Sequence, residues 1–295
     1  MMFSASSYRQ LRFEGRPRRH REGPETPPPQ PTLRNGRRTD ELALSEPERV
    51  LAARVLSEAG LALAAYRGSP LRRRLPAVLR ALRTADFQVA ATKIEHNPEL
   101  ARRALNTLLI GHTTPFRDIE VFAALRNGIL PALLQRKTSP RIWSVGCSGG
   151  EELLSVALLL AEAQRLHDCR LRGSDCRTAA IEEARRKGPG FAAALPLPWS
   201  ELRRFCEQRA FLEAVQRIEW RVEDALSIPE EGSWDLILCR NVSIYLEPIV
   251  CQTLWERMRS CLAPGGILVT GKAERPCVRG FRRIFKCIYR RDEER

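Results

Sequence analysis

The feature that most constrains this fold is an alternation of short apolar and amphipathic segments that begins at residue 141. The pattern predicts strands over residues 141–146, 171–175, 219–223, 235–239, 267–271 and 284–289. It predicts helices over residues 151–164, 178–187 and 249–262. This order is typical of an α/β fold, Rossmann-like, with a parallel sheet and helices on both faces. Ligands of such sheets bind beyond the carboxyl ends of the strands.

Residues 41–110, which precede the sheet, are predicted to form a small all-α domain because their apolar residues follow helical spacing. One apolar face comprises Leu71, Leu75, Val78, Leu79 and Leu82. A second comprises Leu100, Ala104, Leu105, Leu108 and Leu109. The remainder of the first helix carries Arg72, Arg73, Arg74, Arg80 and Arg83. This arginine-rich face fits equally a solvated surface and a basic platform for an acidic partner.

The net charge of +14 is concentrated at the two ends of the chain. Residues 1–39 have a balance of +6, and residues 275–295 a balance of +5, which leaves 14 − 6 − 5 = +3 for residues 40–274. A strongly basic nucleic-acid-binding core is therefore not expected. Residues 1–40 are predicted to be a disordered, basic, proline-rich tail. We expect both ends to be solvated tails, with contact to an anionic partner as the alternative.

Hydropathy and the cysteine pattern argue against a membrane protein, a metal site and a disulfide-bonded protein. No stretch approaches 18 uninterrupted apolar residues, so no membrane insertion is expected. The nine cysteines form no CxxC pair, and the four histidines do not cluster near them. We therefore expect no metal site and no disulfide framework. An odd number of cysteines, several of them within apolar runs, is typical of reduced thiols in a cytoplasmic protein.

The ends of the first two strands carry candidate binding residues. The turn Gly146–Gly150 (GCSGG) opens a helix, but its spacing fits neither the dinucleotide nor the P-loop motif. Glu151 and Glu152 are compatible with the helix dipole, and they favour a cationic ligand over a phosphate. Asp175 ends the second strand, where a carboxylate can accept the hydroxyls of an adenosyl ribose. Its structural alternative is a turn or an N-cap before the next helix.

Strand four leads into a polar loop that lies over the expected site. Arg240 and Asn241 end this strand, and Tyr245 follows four residues later. A purely structural strand end would more often finish in Gly, Asp or Ser, so this loop favours a functional role.

A second polar segment, Thr113-Thr-Pro-Phe-Arg-Asp118, precedes the sheet. Its structural interpretation is a helix start, with Thr114 as the N-cap and Pro115 at the first helical position. That interpretation leaves Arg117 unexplained.

Taken in order, these elements resemble the CheR-type chemoreceptor glutamate methyltransferases. That family has T-x-F-F-R-[DE], C-S-T-G-E-E-P-Y-S, a strand-two S-D, F-D-x-I-x-C-R-N-V-x-I-Y, P-G-G and G-x-x-E. The corresponding segments here are 113–118, 147–155, 174–175, 234–245, 264–266 and 271–274. Gly60, Tyr66, the run 72–74 and Asn97-Pro98 also resemble the family's N-terminal domain. The resemblance covers roughly residues 45–290.

The resemblance implies an enzyme that transfers a methyl group from S-adenosylmethionine to glutamate carboxylates of a protein substrate. It implies a cofactor site in residues 111–291, formed by Thr113, Arg117, Gly146, Glu151, Asp175, Asp224, Ala225, Arg240 and Asn241. Arg117 and Tyr245 would flank the transferred methyl group as catalytic residues. Arg72, Arg73 and Arg74 would bind an acidic receptor helix, with residues 41–110 as the substrate-recognition domain. We further expect a cytoplasmic monomer.

Several positions depart from the family pattern. Gly111 stands where Asn is usual, Pro115 where the first motif Phe stands, Leu153-Leu154 where Pro-Tyr stands, and Asp224 where Asn is frequent. The segment between Phe205 and Trp220 is short, so the small β-subdomain of some members is expected to be truncated.

Two alternatives remain open at this point. The first is the same fold and cofactor with another acceptor, RNA recruited by the basic ends or another protein. Against RNA, the strand-four loop lacks an N-P-P-Y-like motif. The second alternative is a non-catalytic module that binds the cofactor and signals.

Overall fold

The structure is a computed structural model that describes residues 43–109, 111, 113–227 and 233–293. The predicted disordered tail, residues 1–40, lies outside the described residues. No helix among the described residues is long and apolar enough to cross a membrane. None of the nine cysteines, all of which lie among the described residues, forms a disulfide bond.

Residues 43–109, the first described stretch, form four α-helices: α1 (Glu46–Ser57), α2 (Gly68–Ala81), α3 (Phe87–Glu95) and α4 (Pro98–Leu108). The starts of α3 and α4 follow capping chemistry, because Asp86 and Asn97 each accept two backbone N–H groups of the helix that follows. The five apolar residues predicted on the first face are all buried in one cluster. In the second face Ala104, Leu105 and Leu108 are buried in the same cluster.

A seven-stranded sheet forms the second part of the described chain, with the order β3-β2-β1-β4-β5-β7-β6. The strands are β1 (Arg141–Val145), β2 (Arg170–Asp175), β3 (Glu219–Val222), β4 (Trp234–Cys239), β5 (Leu262–Thr270), β6 (Phe281–Phe285) and β7 (Ile288–Arg291). The first five pair in parallel. Strand order reverses at β1, which brings the ends of β1 and β4 together beside a crevice.

The helices associated with the sheet begin with α5 (Ile119–Ala124), a π-helical turn (Leu125–Ile129) and α6 (Leu130–Arg136). They continue with α7 (Glu151–Glu162), α8 (Thr178–Lys187), α9 (Arg203–Cys206), α10 (Arg209–Gln216) and α11 (Pro248–Cys261). Between β2 and β3 the chain forms helices and 3-10 turns.

Successive side chains of the central strands point to opposite faces of the sheet, so alternate residues are buried in different hydrophobic clusters. Ile142 and Leu236 pack with helix α7, whereas Trp143 and Ile237 pack with helix α11. Helices thus cover both faces of the sheet, and the predicted Rossmann-like α/β class is confirmed.

Two predictions at the C-terminal end are wrong. The single strand expected over residues 284–289 is the turn region of a hairpin, in which β6 and β7 pair antiparallel. Strand β7 also pairs antiparallel with β5, so the sheet is mixed. The basic C-terminal end is therefore not a solvated tail through residue 291: Ile288 and Tyr289 are buried against the sheet. Residues 284–289 are apolar except for Lys286 and do not reveal a turn at Lys286-Cys287, where Cys287 takes a positive φ of 61°.

Candidate active site

A cleft of about 220 Å³ lies beyond the carboxyl ends of β1 and β4. Seven residues predicted from the sequence line it: Arg74, Thr113, Arg117, Gly146, Arg240, Asn241 and Tyr245. The remaining lining residues are Gly111, Cys147, Ser148, Glu152 and Ile244. Segments far apart in the sequence therefore meet at the edge of the sheet that the strand order predicts.

The glycine turn after β1 has a tight geometry. Gly146 has a φ of +64°, which L side chains rarely adopt, and a Cβ there would lie 2.5 Å from Cγ2 of Val242. Ser148 also has a positive φ, and its backbone N–H donates to Oδ2 of Asp175 over 2.9 Å. The turn therefore joins the ends of β1 and β2.

The segment before α5 does not form the helix start that its Thr-Pro pair suggested. Helix α5 begins at Ile119 with Asp118 as its N-cap, and Pro115 lies in a turn. The predicted N-cap at Thr114 is wrong because Phe116 and Asp118 both adopt left-handed backbone conformations, with φ of 55° and 65°. These conformations redirect the chain so that Thr113 and Arg117 both line the cleft.

Phe116 anchors this segment. Its ring stacks on Trp199 with centroids 4.2 Å apart, and it meets Phe122 edge-on at 5.4 Å. Its backbone N–H donates to the Ser155 hydroxyl over 3.0 Å. The apolar ring is fully buried and the polar neighbours face the cleft, so the segment has one fixed orientation.

Arg240 connects three segments of the site. Its side chain is fully buried, and its guanidinium donates to Glu152 over 2.6 Å and to the Arg117 carbonyl over 3.2 Å and contacts Asp118. Burial raises the pKa of the Glu152 carboxyl, while the charges of Arg240 and Arg117 act in the opposite direction. Much of the hydrogen-bonding capacity of Arg240 is therefore used within the protein, which makes it a support of the site as well as a lining residue.

Asp118 is held as a charged group. Burial acts to raise its pKa, but the hydrogen bond from Lys272 and the charges of Arg240, Lys272 and Arg117 outweigh burial and lower it. Lys272 lies 2.7 Å from Asp118. The cation of Lys272 comes from the segment after β5, so this pair ties the end of that strand to residue 118.

Glu274, a residue to which the sequence assigned no role, organises the loop after β4. Its carboxylate accepts backbone N–H groups from Asn241, Ser243 and Gly271 at 2.6 to 2.7 Å, and the Ser243 hydroxyl at 2.9 Å. Asn241 has a φ of 58°, and these hydrogen bonds stabilise that conformation. The G-x-x-E spacing marked Glu274, but only the adjacency of β4 and β5 reveals its partners.

The helical N-terminal part joins the site through backbone contacts. The Tyr245 carbonyl accepts from the Arg67 N–H over 2.9 Å, and the Ala65 carbonyl accepts from the Glu247 N–H over 3.0 Å. Helix α2 begins at the next residue, Gly68, and places Arg74 in the cleft.

The other two predicted substrate-binding arginines do not line the cleft. Arg72 lies 3.4 Å from Glu48, and both Arg72 and Arg73 are exposed on helix α2. They form a surface beside the cleft rather than part of its wall.

Four predicted cofactor residues also lie outside the lining: Glu151, Asp175, Asp224 and Ala225. Glu151 contacts Lys187 of helix α8. The Asp224 carboxylate accepts the N–H of Leu226 at 3.1 Å and the hydroxyl of Ser227 at 3.0 Å. Asp175 forms an ion pair with Arg177 and is not the N-cap of helix α8, which is Arg177.

Tyr66 is a further residue that sequence reasoning left without a role. Burial raises the pKa of its hydroxyl, and the negative charges of Asp224 and Asp175 add to the effect. Tyr66 thus lies near the ends of β2 and β3, and it pairs with Leu246 in an isolated antiparallel bridge. Its role depends on this long-range contact, which no local pattern contains.

The polar groups at the site fit S-adenosylmethionine. The buried atoms Thr113 Oγ1 and Glu151 Oε2 have no hydrogen-bond partner among the described residues. Such buried polar atoms are unfavourable unless a ligand or water satisfies them. A ligand that carries both an amino group and a carboxylate offers a donor to Thr113 and an anionic group to Arg117, and both of these residues line the cleft.

Comparison with known proteins identifies the family. A sequence model described as "CheR methyltransferase, SAM binding domain" matches residues 111–290. The chain belongs to the CheR methyltransferase family. It is therefore an S-adenosylmethionine-dependent methyltransferase, and its Rossmann-like α/β fold is the one predicted.

Relatives extend the similarity into the helical part. The chain is 30% identical to chemotaxis protein methyltransferase 2 of Pseudomonas aeruginosa, over 73% of this chain and 81% of that protein. It is 28% identical to the chemotaxis protein methyltransferase of Salmonella typhimurium, over 80% and 86% of the two chains. A solved S-adenosylmethionine-dependent methyltransferase of Methanosarcina mazei is 19% identical, over 48% and 56% of the chains, with a TM-score of 0.33.

Proposed function

We propose that this chain transfers the methyl group of S-adenosylmethionine to glutamate side chains of a chemoreceptor-like helical protein, giving glutamyl methyl esters. The names of its relatives, which are chemotaxis protein methyltransferases, support a receptor substrate. In this proposal residues 41–110 recognise the substrate and residues 111–291 bind the cofactor. The enzyme acts as a cytoplasmic monomer.

The observation that carries the proposal is the charge of the cleft. Three arginines line it, Arg74, Arg117 and Arg240, whereas Glu152, the carboxylate in the lining, is paired with Arg240. An excess of cationic groups favours an anionic acceptor such as a carboxylate over an amine, which is protonated at neutral pH. The charge therefore supports ester formation.

The chemistry requires little proton transfer. Bound S-adenosylmethionine supplies a methyl carbon on a sulfonium, from which a neutral thioether leaves. A glutamate with a pKa of about 4.3 is already anionic at pH 7, so no strong base is needed. The protein's task is then to align and desolvate the carboxylate. Arg117 can hold a carboxylate by paired hydrogen bonds, and the Tyr245 hydroxyl can orient the attacking oxygen.

Substrate recognition follows from the docking of α2 against the loop that carries Tyr245. Because Arg67 and Tyr245 share a backbone hydrogen bond, the start of α2 is fixed relative to the cleft. Arg74 reaches the cleft while Arg72 and Arg73 lie exposed beside it. An acidic helix lying along α2 would present its glutamate to the cleft.

The test is to incubate the purified protein with methyl-labelled S-adenosylmethionine and receptor-rich bacterial membranes. We expect label on a membrane protein that mild base releases, because an ester hydrolyses and a methylated amine does not. Tyr245→Phe and Arg117→Lys should lower labelling at least tenfold. Arg209→Lys is the matched control, since the Arg209 side chain is 92% exposed and does not line the cleft.

Other outcomes would identify other functions. Base-stable label on RNA or on a protein amine would replace the ester proposal with another acceptor. Binding of S-adenosylhomocysteine without transfer to any fraction would indicate a non-catalytic binding module.

A further inference from the structure

Asp175, the carboxylate expected to bind the cofactor ribose, is occupied by Arg177. Nε of Arg177 lies 3.0 Å from Oδ1 of Asp175, and Nη2 lies 3.2 Å from Oδ2. This is the two-pronged arrangement in which an arginine binds a carboxylate most strongly. The two residues are only 5% and 8% exposed, so water screens the pair little.

The remaining acceptor positions of this carboxylate are also used. Oδ1 accepts the backbone N–H of Arg177 over 3.0 Å, and Oδ2 accepts the backbone N–H of Ser148 over 2.9 Å. A carboxylate offers about four lone-pair sites. With four donors in place, the ribose hydroxyls of an adenosyl ligand have no acceptor on Asp175 until the guanidinium moves away.

Two further segments of the chain fix the position of the Arg177 guanidinium. Nη2 of Arg177 donates to the Ser148 hydroxyl over 3.3 Å, and that hydroxyl contacts the Gly111 carbonyl. A Cβ on Gly111 would lie 2.4 Å from Nη2 of Arg177 and 2.3 Å from Oγ of Ser148. A residue with a side chain at position 111 would therefore collide with the arginine, so Gly111 and Arg177 form a matched pair.

We propose that Arg177 competes with the cofactor ribose for Asp175 and thereby sets the affinity of the site for adenosyl ligands. The proposal rests on the proposed function, because it concerns the same cofactor site. The form with Arg177 on Asp175 excludes the ribose, and the form that binds has Arg177 turned away. The apparent affinity is then the affinity of the second form multiplied by the fraction of molecules that adopt this form.

The test is a calorimetric titration with S-adenosylhomocysteine of the full chain and its variants. Arg177→Met removes the guanidinium but keeps an unbranched side chain of similar length. Arg186→Met on the exposed surface of α8 is the matched control for loss of one positive charge. We expect Arg177→Met to bind at least tenfold more tightly than the wild type, about 1.4 kcal/mol, and Arg186→Met to bind like the wild type.

A double-mutant cycle separates competition from a structural role. In an Asp175→Asn background the guanidinium loses its ionic partner, so Arg177→Met should change the affinity by less than about threefold. A general effect of Arg177 on packing would appear equally in both backgrounds. Circular dichroism and thermal unfolding verify that each variant is folded. If Arg177→Met does not fold, Arg177→Lys replaces it, since lysine keeps the charge without the paired geometry and should give a smaller gain.

The outcomes discriminate between the two proposals. Wild-type binding with no gain in folded Arg177→Met overturns the competition. Equal gains from Arg177→Met in the wild-type and Asp175→Asn backgrounds also overturn it. Absence of binding in every folded variant overturns the cofactor site itself, and with it both proposals. Weak or undetectable wild-type binding together with tight binding by Arg177→Met supports both.

Discussion

The Glu274 carboxylate accepts the backbone N–H of Asn241 over 2.6 Å, so a residue that follows β5 fixes the loop that follows β4. The same carboxylate accepts the N–H of Ser243, two residues later. Strands β4 and β5 are neighbours and parallel, and their carboxyl ends therefore meet. Backbone N–H groups beyond the end of a strand have no partner in the sheet, and the buried Glu274 carboxylate accepts them instead. It thereby fixes the direction of the loop that leads to Tyr245.

Glu274→Gln should destabilise the protein and weaken the site together. The substitution replaces an acceptor by an amide whose NH₂ group faces backbone donors. Loss of hydrogen bonds to a buried charge should lower the free energy of unfolding by about 2 kcal/mol. Urea unfolding measures this change, and methyl transfer should fall with it because Asn241 and Tyr245 lose their support. Glu256→Gln, at an exposed position on α11, should change stability by less than about 0.5 kcal/mol. Equal stability of the two variants would show that Glu274 does not hold the loop.

Phe116→Ala tests the anchor of the segment that carries Thr113 and Arg117. The ring is 1% exposed and stacks on Trp199, so its removal leaves a cavity in the core. We expect a loss of about 3–5 kcal/mol in the free energy of unfolding. The exposed Phe285 provides the control, and Phe285→Ala should change it by far less. Similar losses for both would contradict the described packing of Phe116.

The sequence was sufficient for the main architecture because strand and helix periods differ. Residues 71–82 are an example. Helical spacing alone predicts their apolar face, and every residue of that face is buried. The turn that divides the last predicted strand into β6 and β7 is missed for a physical reason. The turn between β6 and β7 contains no Gly, Pro, Asn or Asp at its centre, so the run from Ile284 to Tyr289 has no local sign of a reversal.

The sequence predicts the site residues that follow the ends of strands. It does not predict the residues whose position depends on which side chains they contact. Tyr245 and Arg117 line one cleft because topology brings their segments together. The pairing of Asp175 with Arg177 was not foreseen, since its geometry needs the space left by Gly111. The departure at Gly111, noted from the sequence, has its physical explanation in that contact.

Asp118→Asn should reduce stability in a pH-dependent way. The native pKa of Asp118 is lowered by Lys272 and by Arg240 and Arg117, which outweigh burial. A lowered pKa contributes stability above the unfolded value of about 3.9, and that contribution is lost as the pH falls through the native pKa. The wild type should therefore be more stable than Asp118→Asn at pH 7, and the difference should shrink below about pH 4.

Unfolding midpoints in urea at several pH values measure this difference. A gap of constant size down to about pH 3 would contradict the charged state of Asp118, and Asp292→Asn at an exposed position serves as the control.

Thiol labelling should separate the exposed cysteine from the buried ones. Cys277 is exposed, whereas Cys176 lies beside Asp175, and burial followed by the Asp175 charge raises its pKa to about 12. Because the thiolate is the nucleophile, only about one in ten thousand Cys176 side chains is reactive at about pH 8. Burial also raises the pKa of Cys239. Iodoacetamide should therefore modify Cys277 at least a hundredfold faster than Cys176 or Cys239 in the folded protein, as mass spectrometry of peptides measures. In guanidinium chloride all three should react alike, and fast labelling of Cys239 before unfolding would contradict its place in the core of the sheet.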